Sequence, residues 1–181
     1  MIPEKLQQPG LEVVFFLWWL LLLSSHSLAY KLLKKYSMQK ILIKTLHDYL
    51  KENNPDLLLR LEEKNKVTEY VSNKISTADV LLKQYEGQPD YIIAEACMNA
   101  LTQDLRPSKF NYISNMLEEE FENNHRQFLA SGTLQFEVIN LINQCRPVFD
   151  ALGFTEENED SNELKNAVTG TISEYLEKRE Q

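Results

Sequence analysis

The sequence predicts an all-α fold: a compact bundle of about six helices, preceded by an additional apolar N-terminal segment. Along most of the chain, apolar residues recur at spacings of three and four, and this spacing places side chains on one face of a helix. No segment alternates apolar and polar residues for more than a few positions, so we expect no strands. The five glycines and six prolines suit helices that are joined by short connections.

The length and the charge limit the classes of function. A chain of 181 residues is expected to hold one globular domain. Its net charge of −8 is divided unevenly, because residues 1–37 sum to +2 and residues 38–181 sum to −10. A domain this acidic repels a phosphate backbone, so nucleic acid is disfavoured as a direct partner. A basic protein partner is compatible with the charge.

Residues 1–37 form an apolar N-terminal extension, for which three hypotheses compete. The preferred one is an upstream segment that is not part of the functional protein, with Met38 as the true start. The second is a membrane anchor over Val13–Tyr30, which is marginal against the roughly 20 apolar residues that a span needs. The third is a secretory signal, although the residues ahead of the apolar run lack the expected positive charge.

These hypotheses decide where the acidic helical domain, residues 38–181, would work. We expect the domain in the cytoplasm. An anchor would hold it at the cytoplasmic face of the inner membrane, because the lysines that flank the apolar run all lie on its C-terminal side. A signal peptide would export it. A membrane is expected as a partner only if Val13–Tyr30 is retained in the mature protein.

Start and stop signals divide the first half of the domain. Ser37 is expected to cap a first helix that ends near Pro55. A short apolar turn or helix follows over residues 56–61. A long helix is predicted over residues 63–86, with Gly87 as its left-handed terminator.

The helix predicted over residues 89–105 is expected to be the element around which the others pack. Its apolar stripe includes the small residues Ala96, Cys97 and Ala100, which let neighbouring helices approach closely. Pro89 suits its first turn, and Pro107 pushes Arg106 out of the helical region at its far end.

The second half of the domain contains three further helical segments. Ser108 is predicted to cap a helix that reaches Phe121. Leu134–Gln144 is strongly apolar, and we expect Pro147 to kink or break its continuation before a stop at Gly153. A terminal helix is predicted after Ser161.

No residues form a recognisable catalytic, cofactor or metal motif. Cys97 and Cys145 lie on apolar faces without a Cys-x-x-Cys or Cys/His neighbour, so both are predicted as small buried hydrophobes. The three histidines are isolated from one another, and His125 is expected in a polar turn. Phosphate-binding and nucleophile-elbow glycine motifs are lacking. We therefore predict that the protein is not an enzyme, and we assign no catalytic, cofactor-binding or metal-binding residue.

Two acidic runs are the candidate contacts for a protein partner, because dense charge can steer a basic molecule. We predict this role for Glu118, Glu119, Glu120, Glu122, Glu156, Glu157, Glu159 and Asp160. The simpler explanation of both runs is a solvated surface.

Two other functions compete with a protein contact. In a helix-turn-helix arrangement, the helices on either side of Arg106-Pro107 would present Ser108, Lys109, Asn111 and Tyr112 to DNA. The acidic residues that follow oppose this. A small-molecule or enzymatic role in an inter-helical pocket is the third alternative, since spatial pairs of carboxylates are invisible in a sequence.

Several segments also resemble a known family. They are Leu46–Pro55, Ala94-Glu95-Ala96, Ser108-Lys109-Phe110, Cys145–Phe149 and Thr169–Glu177. In this order they resemble a domain of unknown function that occurs in short acidic proteins of Bacteroides-type bacteria and is commonly carried with conjugative transposons. The resemblance covers about residues 41–177.

The resemblance implies an all-helical, cytoplasmic bacterial protein with no assigned activity, so it transfers no catalytic residue. Members usually begin close to the first helix, which agrees with a start at Met38. We therefore expect a non-catalytic accessory or interaction protein, linked to a conjugative mobile element.

Overall fold

The computed structural model is helical. It describes the backbone of residues 11–179 and the side chains of residues 28–179. The all-α prediction is confirmed: no strand occurs among residues 11–179. Residues 11–179 contain more helices than the predicted six. They are α1 (Leu11–Asn53), α2 (Pro55–Glu63), α3 (Val67–Thr77), α4 (Asp79–Gln84), α5 (Asp90–Thr102), α6 (Lys109–Glu120), α7 (Glu122–Ala130), α8 (Leu134–Gln144), α9 (Arg146–Leu152) and α10 (Asn162–Arg179).

The chain divides into two units, residues 1–41 and residues 42–181. The three hypotheses for the apolar extension concern residues that lie mainly outside the described side chains. Across the part of the chain that the structure does describe, no helix is both long enough and apolar enough to cross a membrane. The expectation that Ser37 caps a new helix is wrong, because α1 runs through this position without a break.

The largest core of the second unit is built by α6, α8 and α10. Helix α8 packs on both of the other two, while α7 and α9 close the sides. The buried side chains that form this core are Ile113, Met116, Leu117, Phe128, Val138, Leu141, Ile142, Cys145, Phe149, Leu164, Val168, Ile172 and Leu176. The apolar stripes predicted for these helices are therefore confirmed.

Helix α5 is not the central element, which corrects the prediction for residues 89–105. It packs on α3 and α4 at the side of the unit, where Ile93, Cys97 and Leu101 are buried while Ala100 is exposed. Small side chains bury little apolar area. The larger aliphatic stripes of α6, α8 and α10 therefore form the core.

The helix predicted over residues 63–86 is two helices. Helix α3 ends at Thr77, and α4 begins at Asp79. In the last turn of α3, Ser76 donates a hydrogen bond to the carbonyl of Asn73 and Thr77 donates one to the carbonyl of Lys74. Hydroxyls that bind nearby carbonyls compete with helix propagation, which accounts for the break at this point.

Several predicted boundaries are confirmed. Ser108 Oγ accepts a hydrogen bond from the backbone N–H of Asn111 and so caps α6, and Ser161 Oγ accepts one from Leu164 in the same way. Arg106 is extended, with φ −109° and ψ 146°. Gly87 and Gly153 have φ values of 93° and 75°, which glycine adopts without steric cost.

Candidate functional site

The end of α6 carries one of the two acidic runs that were predicted as partner contacts. Glu118, Glu119 and Glu120 occupy the last turn of α6, and Glu122 begins α7 after the single residue Phe121. All four glutamates are exposed. We call them the α6–α7 acidic surface.

The last turn of a helix is an unfavourable place for negative charge. The carbonyls there give the terminus a partial negative charge, and a nearby anion costs about 0.3–1 kcal/mol at an exposed site. Helix α6 has three glutamates at this end and no basic residue in its last turn. The electrostatics of the helix terminus therefore do not favour these glutamates.

Two of the four glutamates form ion pairs. Glu120 Oε1 lies 2.8 Å from Lys165 Nζ on α10, and this hydrogen bond raises the pKa of the lysine. Glu122 Oε1 lies 3.1 Å from Arg126 Nη2, one turn further along α7. No ion pair with a described side chain is recorded for Glu118 or Glu119, so these two carboxylates are the most available to a partner.

The second acidic run lies in the loop between α9 and α10, residues 153–161, which we call the acidic loop. Asn158 fixes its conformation, since its Oδ1 accepts from the backbone N–H of Thr155 at 2.8 Å. Its Nδ2 donates to the carbonyls of Leu152 and Gly153. Glu156, Glu157 and Asp160 are exposed, and Glu159 is half-buried.

The structure brings part of the two acidic runs together. The pKa of Tyr112 is raised first by burial and then by Asp160 and Glu159, while Lys165 lowers it. Glu120 and Glu119 in turn raise the pKa of Lys165. Four of the eight predicted contact residues therefore share one electrostatic neighbourhood around Tyr112 and Lys165.

Among the described side chains, no hydrogen bond or ion pair joins the remaining predicted contacts to this neighbourhood. Glu156 Oε1 faces Arg106 Nε at 4.0 Å. Glu122 pairs within its own helix, and Glu118 and Glu157 point to solvent. Four of the eight residues thus lie in the shared neighbourhood and the other four lie outside it. The eight do not form a single continuous patch.

The four side chains predicted to face DNA make contacts inside the protein. Ser108 Oγ donates to the carbonyl of Asn53 and also caps α6. Asn111 Nδ2 donates to Asn53 Oδ1 at 3.0 Å. Tyr112 packs edge-on against Phe154, with ring centroids 5.1 Å apart.

The fourth of these side chains is also engaged. The ammonium group of Lys109 lies 4.9 Å from the ring centroid of Phe149. Because all four groups hold α6 against its neighbours, they are poorly placed to read base edges.

An open groove lies between α3 and the end of α5. Its volume is about 710 Å³, and Tyr70, Asn73, Thr77 and Gln103 contribute to its walls. Lys74 Nζ donates to the carbonyl of Leu101 at 2.8 Å and pairs with Asp104. The ammonium of Lys74 in this groove is therefore already bound by groups of the protein itself.

A buried carboxylate on α8 was missed by the sequence analysis. The side chain of Glu137 is only 3% exposed. Its Oε2 accepts a hydrogen bond from the Tyr175 hydroxyl at 2.9 Å and one from Arg179 Nη1. The guanidinium also lies over the rings of Phe128 and Tyr175, at 5.5 and 5.7 Å from their centroids.

The sequence contains a signal for this pair. Glu137 occurs at helical spacing with Leu134, Val138 and Leu141, so it belongs to the apolar stripe of α8. Tyr175 and Arg179 are four residues apart and share one face of α10. A charged residue within a buried stripe requires a partner, and the distant Arg179 supplies it.

The cysteines and histidines show no clustering. Cys97 and Cys145 are free and buried, as predicted, and burial raises the pKa of Cys145 to about 12. His125 lies within α7, so its expected place in a turn is wrong. Among residues 28–179, no three His, Cys, Asp or Glu side chains converge to form a metal site.

Comparison with known proteins identifies a family. The model of a family described as a domain of unknown function, DUF1896, matches residues 31–180. No curated protein and no solved structure matches the chain. The resemblance to a domain of unknown function is thereby confirmed, and the match begins ahead of the expected boundary at residues 37 and 38. Because the match spans most of its length, this chain belongs to the DUF1896 family.

Proposed function

We propose that the protein is a non-catalytic interaction protein that binds a basic protein partner through the α6–α7 acidic surface. In this proposal it is an accessory factor linked to a conjugative mobile element and works in the bacterial cytoplasm. Its contact residues are Glu118, Glu119, Glu120 and Glu122. The acidic loop supplies additional charge.

One observation carries the proposal: three exposed glutamates stand at the helix terminus that disfavours them. Residues that lower stability without a structural gain are expected at functional sites. Of the three, Glu120 forms the ion pair with Lys165, and Glu119 interacts with the same lysine only at longer range. A basic partner would offset the repulsion that Glu118 and Glu119 experience in the free protein.

The charge of the whole second unit supports the same partner chemistry. Residues 42–181 contain 14 Lys and Arg against 25 Asp and Glu, a net charge of −11. Such a field accelerates encounters with a basic protein by electrostatic steering and slows those with acidic molecules. The steering weakens as salt rises, because charges are screened beyond about 8 Å at physiological ionic strength.

The alternatives have less support. Direct DNA binding would need the side chains of Ser108 and Asn111, which are bonded to Asn53. A ligand in the groove would compete with Leu101 and Asp104 for the ammonium of Lys74. A titration with duplex DNA at low salt and a ligand screen against the groove test these two functions.

The partner contact is tested by affinity purification from the native host with matched variants. The variant in which Glu118, Glu119, Glu120 and Glu122 are all replaced by Gln removes four charges and keeps the shape. The control replaces Glu52, Glu62, Glu63 and Glu69, which are also exposed, by Gln. We expect a basic protein to co-purify with the wild type and the control and to be lost from the first variant.

If both variants retain the same partners as the wild type, the α6–α7 acidic surface is not the contact. The link to a mobile element has a separate test in gene neighbourhood. Transfer or integration genes on either side of the coding sequence would support it, and a consistently metabolic neighbourhood would contradict it.

A further inference from the structure

Part of α1, residues 28–41, combines exposed apolar side chains with a concentration of lysine. Leu28, Leu32 and Tyr36 are each about 60% exposed and are spaced by four residues, so they follow one line along the helix. Tyr30, Leu33 and Ile41 are exposed on other sides of the same helix. These apolar side chains are therefore exposed to water on several sides of the helix, although Met38 of the same segment is buried.

The charge of this segment is opposite to that of the rest of the chain. Lys31, Lys34, Lys35 and Lys40 lie within residues 28–41, and no Asp or Glu does, whereas the whole protein has a net charge of −8. The ammonium of Lys40 lies 4.7 Å from the ring centroid of Tyr36. Basic and apolar side chains are thus interleaved within the same helical turns.

We propose that residues 28–41 form a binding surface for an anionic lipid bilayer, on which this segment lies at the level of the headgroups. Basic helices with exposed aliphatic and aromatic side chains bind such interfaces through apolar burial together with attraction to anionic lipid. Tyrosine is favoured at this depth because its ring is apolar and its hydroxyl is polar. Lysine can bury its stem and keep its ammonium among the phosphates.

Two further observations favour a bilayer over a second protein. A partner helix would cover one line of side chains, but Leu32 and Leu33 are adjacent and lie on different sides of α1. The lysines would also repel the same segment of a second copy. The sequence just before this segment, Val13–Leu23, consists of eleven consecutive apolar residues, which is a composition that lipid accommodates.

Vesicle flotation of the full chain tests the proposal. The vesicles contain phosphatidylcholine alone, or phosphatidylcholine with about one-third phosphatidylglycerol, which gives an anionic surface. A protein with a net charge of −8 is repelled by the anionic vesicles unless a local basic segment binds them. We expect at least a tenfold preference for the anionic vesicles at about 0.1 M salt, and most of it lost at about 1 M.

Charge variants locate the contact. Replacing Lys31, Lys34, Lys35 and Lys40 by Gln is expected to weaken binding to anionic vesicles at least tenfold, since each lysine near such a surface contributes on the order of fivefold. The matched control replaces four exposed lysines of the second unit by Gln. They are Lys51, Lys64, Lys66 and Lys83. The control should bind like the wild type.

Apolar variants provide an independent measurement. Leu32→Ser with Leu33→Ser is expected to weaken binding to the anionic vesicles, and Leu59→Ser with Leu129→Ser, at exposed sites of the second unit, is not. Circular dichroism confirms that each variant is folded.

Three outcomes would overturn the proposal. The first is no binding to either kind of vesicle. The second is equal binding to both kinds of vesicle that the lysine substitutions do not change. The third is a dimer in solution that dissociates when Leu32→Ser and Leu33→Ser are combined. The second outcome would assign binding to the apolar run alone. The third would assign the surface to a second copy of the chain.

Discussion

Tyr175 and Glu137 are 38 residues apart in the sequence, yet the tyrosine hydroxyl donates a 2.9 Å hydrogen bond to the buried Glu137 Oε2. Arg179 binds the same oxygen from the next turn of α10. These contacts join α8 to α10, which are two of the three helices that build the largest core. The carboxylate is buried because two donors satisfy it there.

Removing the guanidinium of Arg179 should lower the free energy of unfolding more than removing the negative charge of Glu137. Arg179→Met leaves the Glu137 carboxylate buried and without its counterion, so we expect the free energy of unfolding to fall by about 2–3 kcal/mol. Glu137→Gln keeps an acceptor for Tyr175 and should cost about 1 kcal/mol. Urea unfolding measures both. Equal losses, or no loss from Arg179→Met, would show that the pair is solvated.

Alkaline pH should destabilise the protein in part through Cys145. Its pKa is about 12 in the folded protein against 9.0 for an unburied thiol. Because the folded-state pKa is raised, the stabilisation is fully present below pH 9 and is lost as pH rises towards 12. The effect is on the order of 4 kcal/mol when complete.

The rate at which the free energy of unfolding falls with rising pH isolates the contribution of Cys145. Cys145→Ala lowers stability at neutral pH by creating a cavity, but it should make the decline above pH 9 shallower than in the wild type. Urea unfolding at several alkaline pH values compares the two slopes. Parallel slopes would mean that the thiol ionises without unfolding the core.

The glutamates that end α6 should lower its stability. Glu118→Gln with Glu119→Gln removes two anions from a negative helix terminus, so we expect the free energy of unfolding to rise by about 0.5–1 kcal/mol. The control is Glu69→Gln in the first turn of α3, where an anion is favourable, and it should lower stability by a few tenths of a kcal/mol. A loss of stability from the α6 pair would remove the observation on which the proposed function depends.

The acidic loop should depend on Asn158. Asn158→Ala removes its bonds to Thr155, Leu152 and Gly153, and we expect a loss of about 1–2 kcal/mol. A protease that cleaves after glutamate should then cut the loop several-fold faster. Asn166→Ala, at an exposed site on α10, serves as the control and should leave the cleavage rate unchanged.

Local chemistry made many helix boundaries predictable from the sequence. Ser108 and Ser161 supply acceptors for free backbone N–H groups, and Gly153 adopts a positive φ that other residues avoid. Such signals act within a few residues. They do not determine which helix lies at the centre, so the sequence pattern favours α5 although α8 lies there.

The failures have equally specific physical reasons. The break at Ala78 depends on hydroxyl groups that donate hydrogen bonds to nearby backbone carbonyls, as Thr77 does. A threonine in a helical sequence pattern does not show whether its hydroxyl will form such a bond. The contact of Glu137 with Arg179 joins residues 42 positions apart, so it depends on tertiary packing. The charge of the acidic residues is evident from the sequence, but only the fold shows that Glu118, Glu119 and Glu120 lie at the end of a helix.

The most direct test of the proposed function is site-specific photo-crosslinking in the native host. A photoreactive amino acid is placed at Glu119, within the α6–α7 acidic surface, and in a second strain at Glu63, an exposed site on α2. We predict a discrete adduct with a basic protein from position 119, which raised salt diminishes and which position 63 does not form. No adduct from position 119, or the same adduct from both positions, would contradict the claim that this surface recognises a partner.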